Sequence, residues 1–239
     1  GGWARDVLIV SDEHPQMEVL AAQLRAKANA AVSIVEQPRM PAELARYHAV
    51  FVFIHKVLNE PAEKQLVDYA SGGGRLILLH HSISQGKRAN RYWFPFLGMS
   101  LPTGDLEQGG YKWIHGVTLS IVNLAPGHYI TSNKVQYSSE IAYRRGDSGP
   151  ERKYPGFVLK DSEVFLNHQF TDGGEKTVLL GFKYVHEASG KVYMQDRAGW
   201  MKKGGKGWIL YFLPGHTVLD IQNEAYSQIL LNTVEARLP

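Results

Sequence analysis

Residues 72–84 read GGGRLILLHHSIS: a glycine stop, a short apolar run and two adjacent histidines. Before it, Asn59-Glu60-Pro61 opens a segment with Leu66 and Tyr69 at helical spacing, so Gly72-Gly73-Gly74 closes a helix and Arg75 to Leu79 begins a buried strand. The same alternation runs upstream. DVLIVS (6–11) is a strand, Pro15 opens a helix with Met17, Leu20, Leu24 and Ala28 on one stripe, and residues 32–35 and AVFVFI (49–54) are further strands. Strands alternating with helices at this spacing predict a mostly parallel α/β sheet with right-handed crossovers and helices on both faces.

After about residue 100 the texture changes to Gly, Tyr and Trp with strand-like runs at 117–122, 178–182 and 208–213, which predicts an antiparallel extension. Ile221, Ala225, Ile229 and Val234 form one stripe of a closing amphipathic helix. No internal repeat or linker divides the chain, and its 239 residues read as a single domain, 1–239.

A hydrophobic fraction of 44% and a charged fraction of 21% fit a globular protein and exclude a disordered one. No apolar run approaches the roughly 18 residues of a spanning helix, so a soluble body without membrane contact is expected. The net charge of +3 is scattered, and its densest group, Lys202, Lys203 and Lys206, lies in a Gly-rich turn and reads as solvated charge. Nucleic acid is not an expected partner, and homo-oligomerisation is left open. The absence of cysteine removes disulfides, thiolate metal sites and cysteine nucleophiles. A start at Gly1-Gly2-Trp3 leaves localisation open: periplasmic or secreted if a signal peptide was removed, cytoplasmic otherwise.

Three apolar runs end within three residues of a histidine: DVLIVSDEH (His14), RLILLHH (His80) and WILYFLPGH (His216). The carboxyl ends of neighbouring strands in an open α/β sheet face one crevice, so these histidines can meet there. His55 ends AVFVFIH in the same way. His81 faces away from His80 if the strand persists, and faces inward only if a turn begins there. His168 and His186 read as surface residues. Ser82 has no flanking glycines, so a G-x-S-x-G elbow is absent. GGKG (204–207) precedes a strand and reads as a hairpin turn, not a phosphate loop. Trp200 fits either a sugar-stacking platform or a half-buried flank of that turn. Trp93, Phe94 and Phe96 read as core or pocket wall.

In GGGRLILLHH, Trp93-Phe94, Leu97-Gly98, His14-Pro15, Trp200, the Gly205-Lys206-Gly207 turn, WILYFL and Gly215-His216, the chain resembles the trehalose-utilization (ThuA-like) family. Its fold is similar to that of the class I glutamine amidotransferases, itself flavodoxin-like. The family's histidine segment and acidic pair before an aromatic are placed at His128 and at Asp161-Ser162-Glu163-Val164-Phe165, with Glu140 and Tyr143 as a rival match inside an apparent insertion at 132–155. With no cysteine, amidotransferase chemistry by a thiolate cannot run.

The resemblance implies a small-molecule carbohydrate substrate, trehalose or a keto-disaccharide, and proton abstraction beside a carbonyl. Imidazole suits this because its ordinary pKa is near 7. The expected catalytic residues are His80, His216 and Glu163, and the expected substrate-binding residues are His14, His55, His81 and Trp200. No cofactor is firmly expected; a divalent metal, if present, would take His14, His80 and His216. A glycosidase pair finds only Glu163 and Asp12 or Glu13 near strand ends. The rival reading is a non-catalytic carbohydrate-binding or regulatory module on an amidotransferase-like scaffold.

Overall fold

The computed structural model describes residues 2–173 and 175–239. Its first part alternates as expected: β1 (Arg5–Ser11), α1 (His14–Lys27), β2 (Ala30–Val35), β3 (Ala49–Phe53), α2 (Glu60–Ser71) and β4 (Arg75–Leu79). Asn59 caps α2 by accepting from the Ala62 N–H, the role its short polar side chain favours. The second part holds α3 (Trp93–Leu97), β5 (Met99–Ser100), β6 (Lys112–Asn123), α4 (Tyr129–Ser132), β7 (Ser139–Arg144), β8 (Glu151–Leu166), β9 (Gln169–Phe170) and β10 (Thr177–Val185). It ends with β11 (Val192–Gly204), β12 (Gly207–Phe212), α5 (Val218–Gln222) and α6 (Glu224–Glu235).

Among the described residues, ten strands form one sheet in the order β2-β1-β3-β4-β12-β11-β10-β6-β8-β7. The pairs from β2 to β12 are parallel. Those from β12 to β7 are antiparallel. The late strand β12 inserts beside β4, which brings the segment after Phe212 next to the one after Leu79. The interiors of the four inner parallel strands are buried, Val7–Val10, Val50–Phe53, Leu76–Leu79 and Ile209–Phe212, as a sheet covered on both faces requires, whereas edge strand β2 alternates buried and exposed residues.

Several expectations need correction. The closing stripe is buried as read, but it spans two helices, because Asn223 leaves the helix and caps α6 through Tyr226 N–H. Residues 132–155, read as an insertion, supply edge strand β7 and the start of β8. That puts Glu140 on the far edge of the sheet and removes it as a rival to Glu163. The Gly205-Lys206 turn is the expected hairpin. Lys202, however, is buried and pairs with Asp172 at 2.9 Å, because it lies within β11 and not in the turn.

Candidate functional site

Strand β4 stops at Leu79 because His80 takes a left-handed φ of 56° and the chain enters a 3₁₀ turn over His80–Ile83. That conformation is uncommon for a non-glycine residue, although histidine tolerates it better than most. Both imidazoles therefore turn to the carboxyl edge, with ring centroids 4.9 Å apart. The opposed orientation expected of an extended strand does not occur.

The His80 side chain is 2% exposed. Its Nδ1 lies 2.8 Å from the Leu213 carbonyl, which accepts only, so Nδ1 carries a proton. Its Nε2 lies 2.9 Å from Glu163 Oε1, within hydrogen-bond distance of that carboxylate. Tyr211 Oη donates to the His80 carbonyl at 2.9 Å. His216 Nδ1 is 3.7 Å from the same Glu163 oxygen, and the His80 and His216 rings are 6.0 Å apart. The three residues expected to act together are thus gathered around one carboxylate.

Burial raises the Glu163 carboxyl, but the hydrogen bond from His80 and the charges of the His80, His216 and His81 rings outweigh it and hold the pKa below its ordinary value. Glu163 (13% exposed) and His216 (29% exposed) are open to a ligand, whereas His80 stands behind them. Gly215 makes this packing possible, since a Cβ there would come 2.8 Å from His80 Cβ.

A second cluster adjoins the first. Glu13 Oε1 is 3.1 Å from His81 Nε2 and 3.3 Å from His55 Nδ1, and the two rings stack at 4.8 Å with planes 8° apart. Burial, against the pull of Glu13, drives the His81 pKa down to about 4, so the imidazole is neutral near pH 7. The hydrogen bond from His81 in turn holds Glu13 at about 2. Beneath them the enclosed Lys87 ammonium donates to the carbonyls of Ile54 (2.5 Å), His55 (2.9 Å) and His81 (2.9 Å), fastening both histidine loops to one point.

His55, His81, Ser84, Tyr111, Trp113 and Glu163 are among the residues lining a cavity of about 250 Å³. Tyr111, Trp113 and His115 were not read as site residues, yet their signal is in the sequence. In YKWIH they alternate with period two, which puts Trp113 and His115 on one face of β6 with Tyr111 just before its start. The ladder sets Trp113 opposite Phe165 and His115 opposite Glu163. The His115 ring stacks on His216 with centroids 6.1 Å apart. Burial, with Glu163 nearby, raises the Tyr111 phenol, which keeps it a neutral donor.

Other expected residues lie elsewhere. His14 begins α1 and pairs with Glu36 at 3.4 Å, outside both clusters, so the His14–His80–His216 metal set is not assembled; Glu163 stands in the place given to His14. Trp200 is fully buried against His168, Phe170 and Tyr211 and offers no face to a ligand. His168 is likewise interior, not surface: its Nε2 accepts from Trp200 Nε1 at 3.2 Å. His128 caps α4 by accepting from Ile130 N–H. The Ser82 hydroxyl is enclosed and donates to the Val52 carbonyl, so it is a brace between β3 and β4. No helix among the described residues is long and apolar enough to cross a membrane.

No family model and no curated protein matches the chain. Solved structures do. A ThuA-like protein from Bacteroides uniformis ATCC 8492 is similar over 98% of this chain and 91% of its own, at 14% identity and a TM-score of 0.66. A cytoplasmic protein of Salmonella typhimurium LT2 is similar over 96% and 98%, at 15% identity and 0.63. A cold-adapted β-galactosidase from Rahnella sp. R3 is similar over 97% of this chain but 31% of its own, at 12% identity and 0.57. The chain therefore shares the fold of ThuA-like proteins: a mixed α/β sheet, parallel then antiparallel, flanked by helices.

Proposed function

We propose that the protein is a carbohydrate-active enzyme of the trehalose-utilization type, working by acid–base chemistry on a sugar carbonyl. The observation that carries this reading is Glu163, held by His80 and flanked by His216, in the wall of the cavity that Trp113 also lines. Glu163 removes a proton from the carbon beside the carbonyl, and His216 delivers one to the carbonyl oxygen, giving an enediol that leads to isomerisation, epimerisation or elimination. His80 is a positioning residue here, since both its nitrogens are engaged within the protein. Trp113, 45% exposed and paired with Phe165 across the ladder, takes the platform role expected of Trp200.

The cavity is smaller than the roughly 300–1,000 Å³ of most ligand pockets. It suits one sugar ring, with the rest of a disaccharide outside. The strand order β2-β1-β3-β4-β12 supports a flavodoxin-like, class I amidotransferase-like ancestry for the parallel half. Presence of the same fold as a part of β-galactosidases agrees with a carbohydrate setting.

The test pairs calorimetric titration of trehalose and its 3-keto form with product analysis, on the wild type and on Glu163→Gln. The wild type should convert the keto-disaccharide, and the variant should lose about 10²–10⁴-fold in rate while still binding. Equal turnover by both proteins removes Glu163 as the base. Binding without turnover by the wild type makes the fold a sugar-binding module.

A further inference from the structure

Glu13 lies two residues past the end of β1, His55 two past the end of β3 and His81 two past the end of β4, three neighbouring parallel strands whose carboxyl ends meet at one edge. From β1 the chain passes to β2 on one side, while β3 lies on the other. The gap between β1 and β3 is thus the point where the strand order reverses, the usual place for a ligand in an open α/β sheet. Two stacked imidazoles present Nδ1 of His55 and Nε2 of His81 to one oxygen of Glu13, and the three atoms lie within 4.8 Å of one another.

We propose that Glu13, His55 and His81 form a divalent metal site, zinc by its ligand set, with its open position facing the cavity that Glu163 also lines. Two imidazoles and one carboxylate leaving a fourth position free are the ligand set of catalytic zinc. Bonds of about 2.0–2.1 Å in tetrahedral geometry place ligand atoms about 3.3 Å apart, and the two contacts to Glu13, 3.1 and 3.3 Å, already match. His55 is 66% exposed at its side chain and free to turn the remaining distance. Coordination at His81 would exchange the proton on Nε2 for the ion.

The two clusters have separate work. His80 and Glu163 are tied to β12 and β8, whereas the second cluster hangs on loops after β1, β3 and β4. An ion on the second cluster would polarise a sugar oxygen in the cavity while Glu163 stays free to take a proton. That catalytic role rests on the reading of Glu163 given above; the binding of metal does not.

The experiment strips the protein with a chelator and titrates it with Zn²⁺ by calorimetry, with Co²⁺ absorption as a parallel reading of ligand geometry. One equivalent of Zn²⁺ should bind. His55→Ala, at an exposed side chain, and the near-isosteric Glu13→Gln should each weaken binding about 100-fold or more, whereas Glu163→Gln and His216→Ala should leave it unchanged. Absence of binding to the folded wild type overturns the proposal. So does binding that survives His55→Ala and Glu13→Gln but fails in Glu163→Gln or His216→Ala, which would assign the ion to the His80–Glu163–His216 cluster. Zinc affinity is read without turnover, so an inactive Glu163→Gln protein that binds Zn²⁺ normally separates this inference from the proposed reaction.

Discussion

The hydroxyl of Ser162 donates to Asp220 Oδ2 at 2.8 Å, and the same oxygen accepts the backbone N–H groups of Gly215 at 3.0 Å and His216 at 2.9 Å. The residue beside Glu163 is thereby bound to the segment that carries His216, through Ser162 and Asp220, which are both buried. Hydrogen bonds to a charged group contribute about 1.5–3 kcal/mol. Ser162→Ala should lower stability by an amount in that range, and Asp220→Ala by more, since it strands three donors. Because all three contacts share one oxygen, the double variant should cost little more than Asp220→Ala alone. Urea midpoints at unchanged slope measure this; strictly additive losses would show that Ser162 and the His216 segment are independent.

Gly215→Ala tests the close approach behind His80. A Cβ would meet His80 Cβ at 2.8 Å and the Phe53 ring at 3.1 Å. His80 cannot retreat, being held at Nδ1 by Leu213 and at its carbonyl by Tyr211. Overpacking of this kind costs about 1–3 kcal/mol, and the displaced ring should loosen its contact with Glu163. Calorimetric melting and turnover of the same variant should both fall; wild-type values in both would mean the loop absorbs the methyl group without moving His80.

The parallel half was legible because apolar runs and helix stops are local. DVLIVS, AVFVFI and RLILL each became a buried strand, and Gly72 ended α2 as read. The meeting of His80 with His216 was legible for the same reason, since both follow strands of one sheet. What stayed hidden depends on single backbone angles and long-range pairing. The direction of His81 stays open in the sequence, because nothing there announces the left-handed φ of His80 that turns it inward. Glu163 was found, but His115 and Trp113 needed the β6–β8 register, which shifts between His115 and Val117 where Gly116 takes a φ of 70°. Trp200 and His168 were misplaced because their burial is mutual, each filling space the other leaves.

Trp113 and Trp200 should respond in opposite ways to alanine. Trp113 is a half-exposed ring at the cavity wall, so its loss should weaken sugar binding about tenfold, roughly 1.4 kcal/mol, with little change in melting temperature. Trp200 is fully enclosed, and truncating a buried tryptophan costs about 3–5 kcal/mol. Paired titration and thermal melts of the two variants distinguish them. Unchanged binding in Trp113→Ala would take away the stacking platform.

Stability should decline as the pH drops below the ordinary range of histidine, and His168 is a main reason. Burial first, then the charges of Arg197 and Lys176, push its pKa well below 6.5, so the folded protein keeps the ring neutral. The unfolded chain binds a proton there near pH 6.5 that the native state refuses. The contribution is therefore complete above that pH and is lost below it, by up to about 1.4 kcal/mol per unit. His81, held at about 4 mainly by burial, adds a loss of the same sign. Urea midpoints between pH 7.5 and 5 stay above the carboxylate range and isolate the histidines. His168→Gln leaves an acceptor for Trp200 Nε1 but nothing to protonate, so its stability should fall by up to one proton's worth less over this interval than that of the wild type. Parallel pH profiles for the two proteins would assign the proton uptake to other groups.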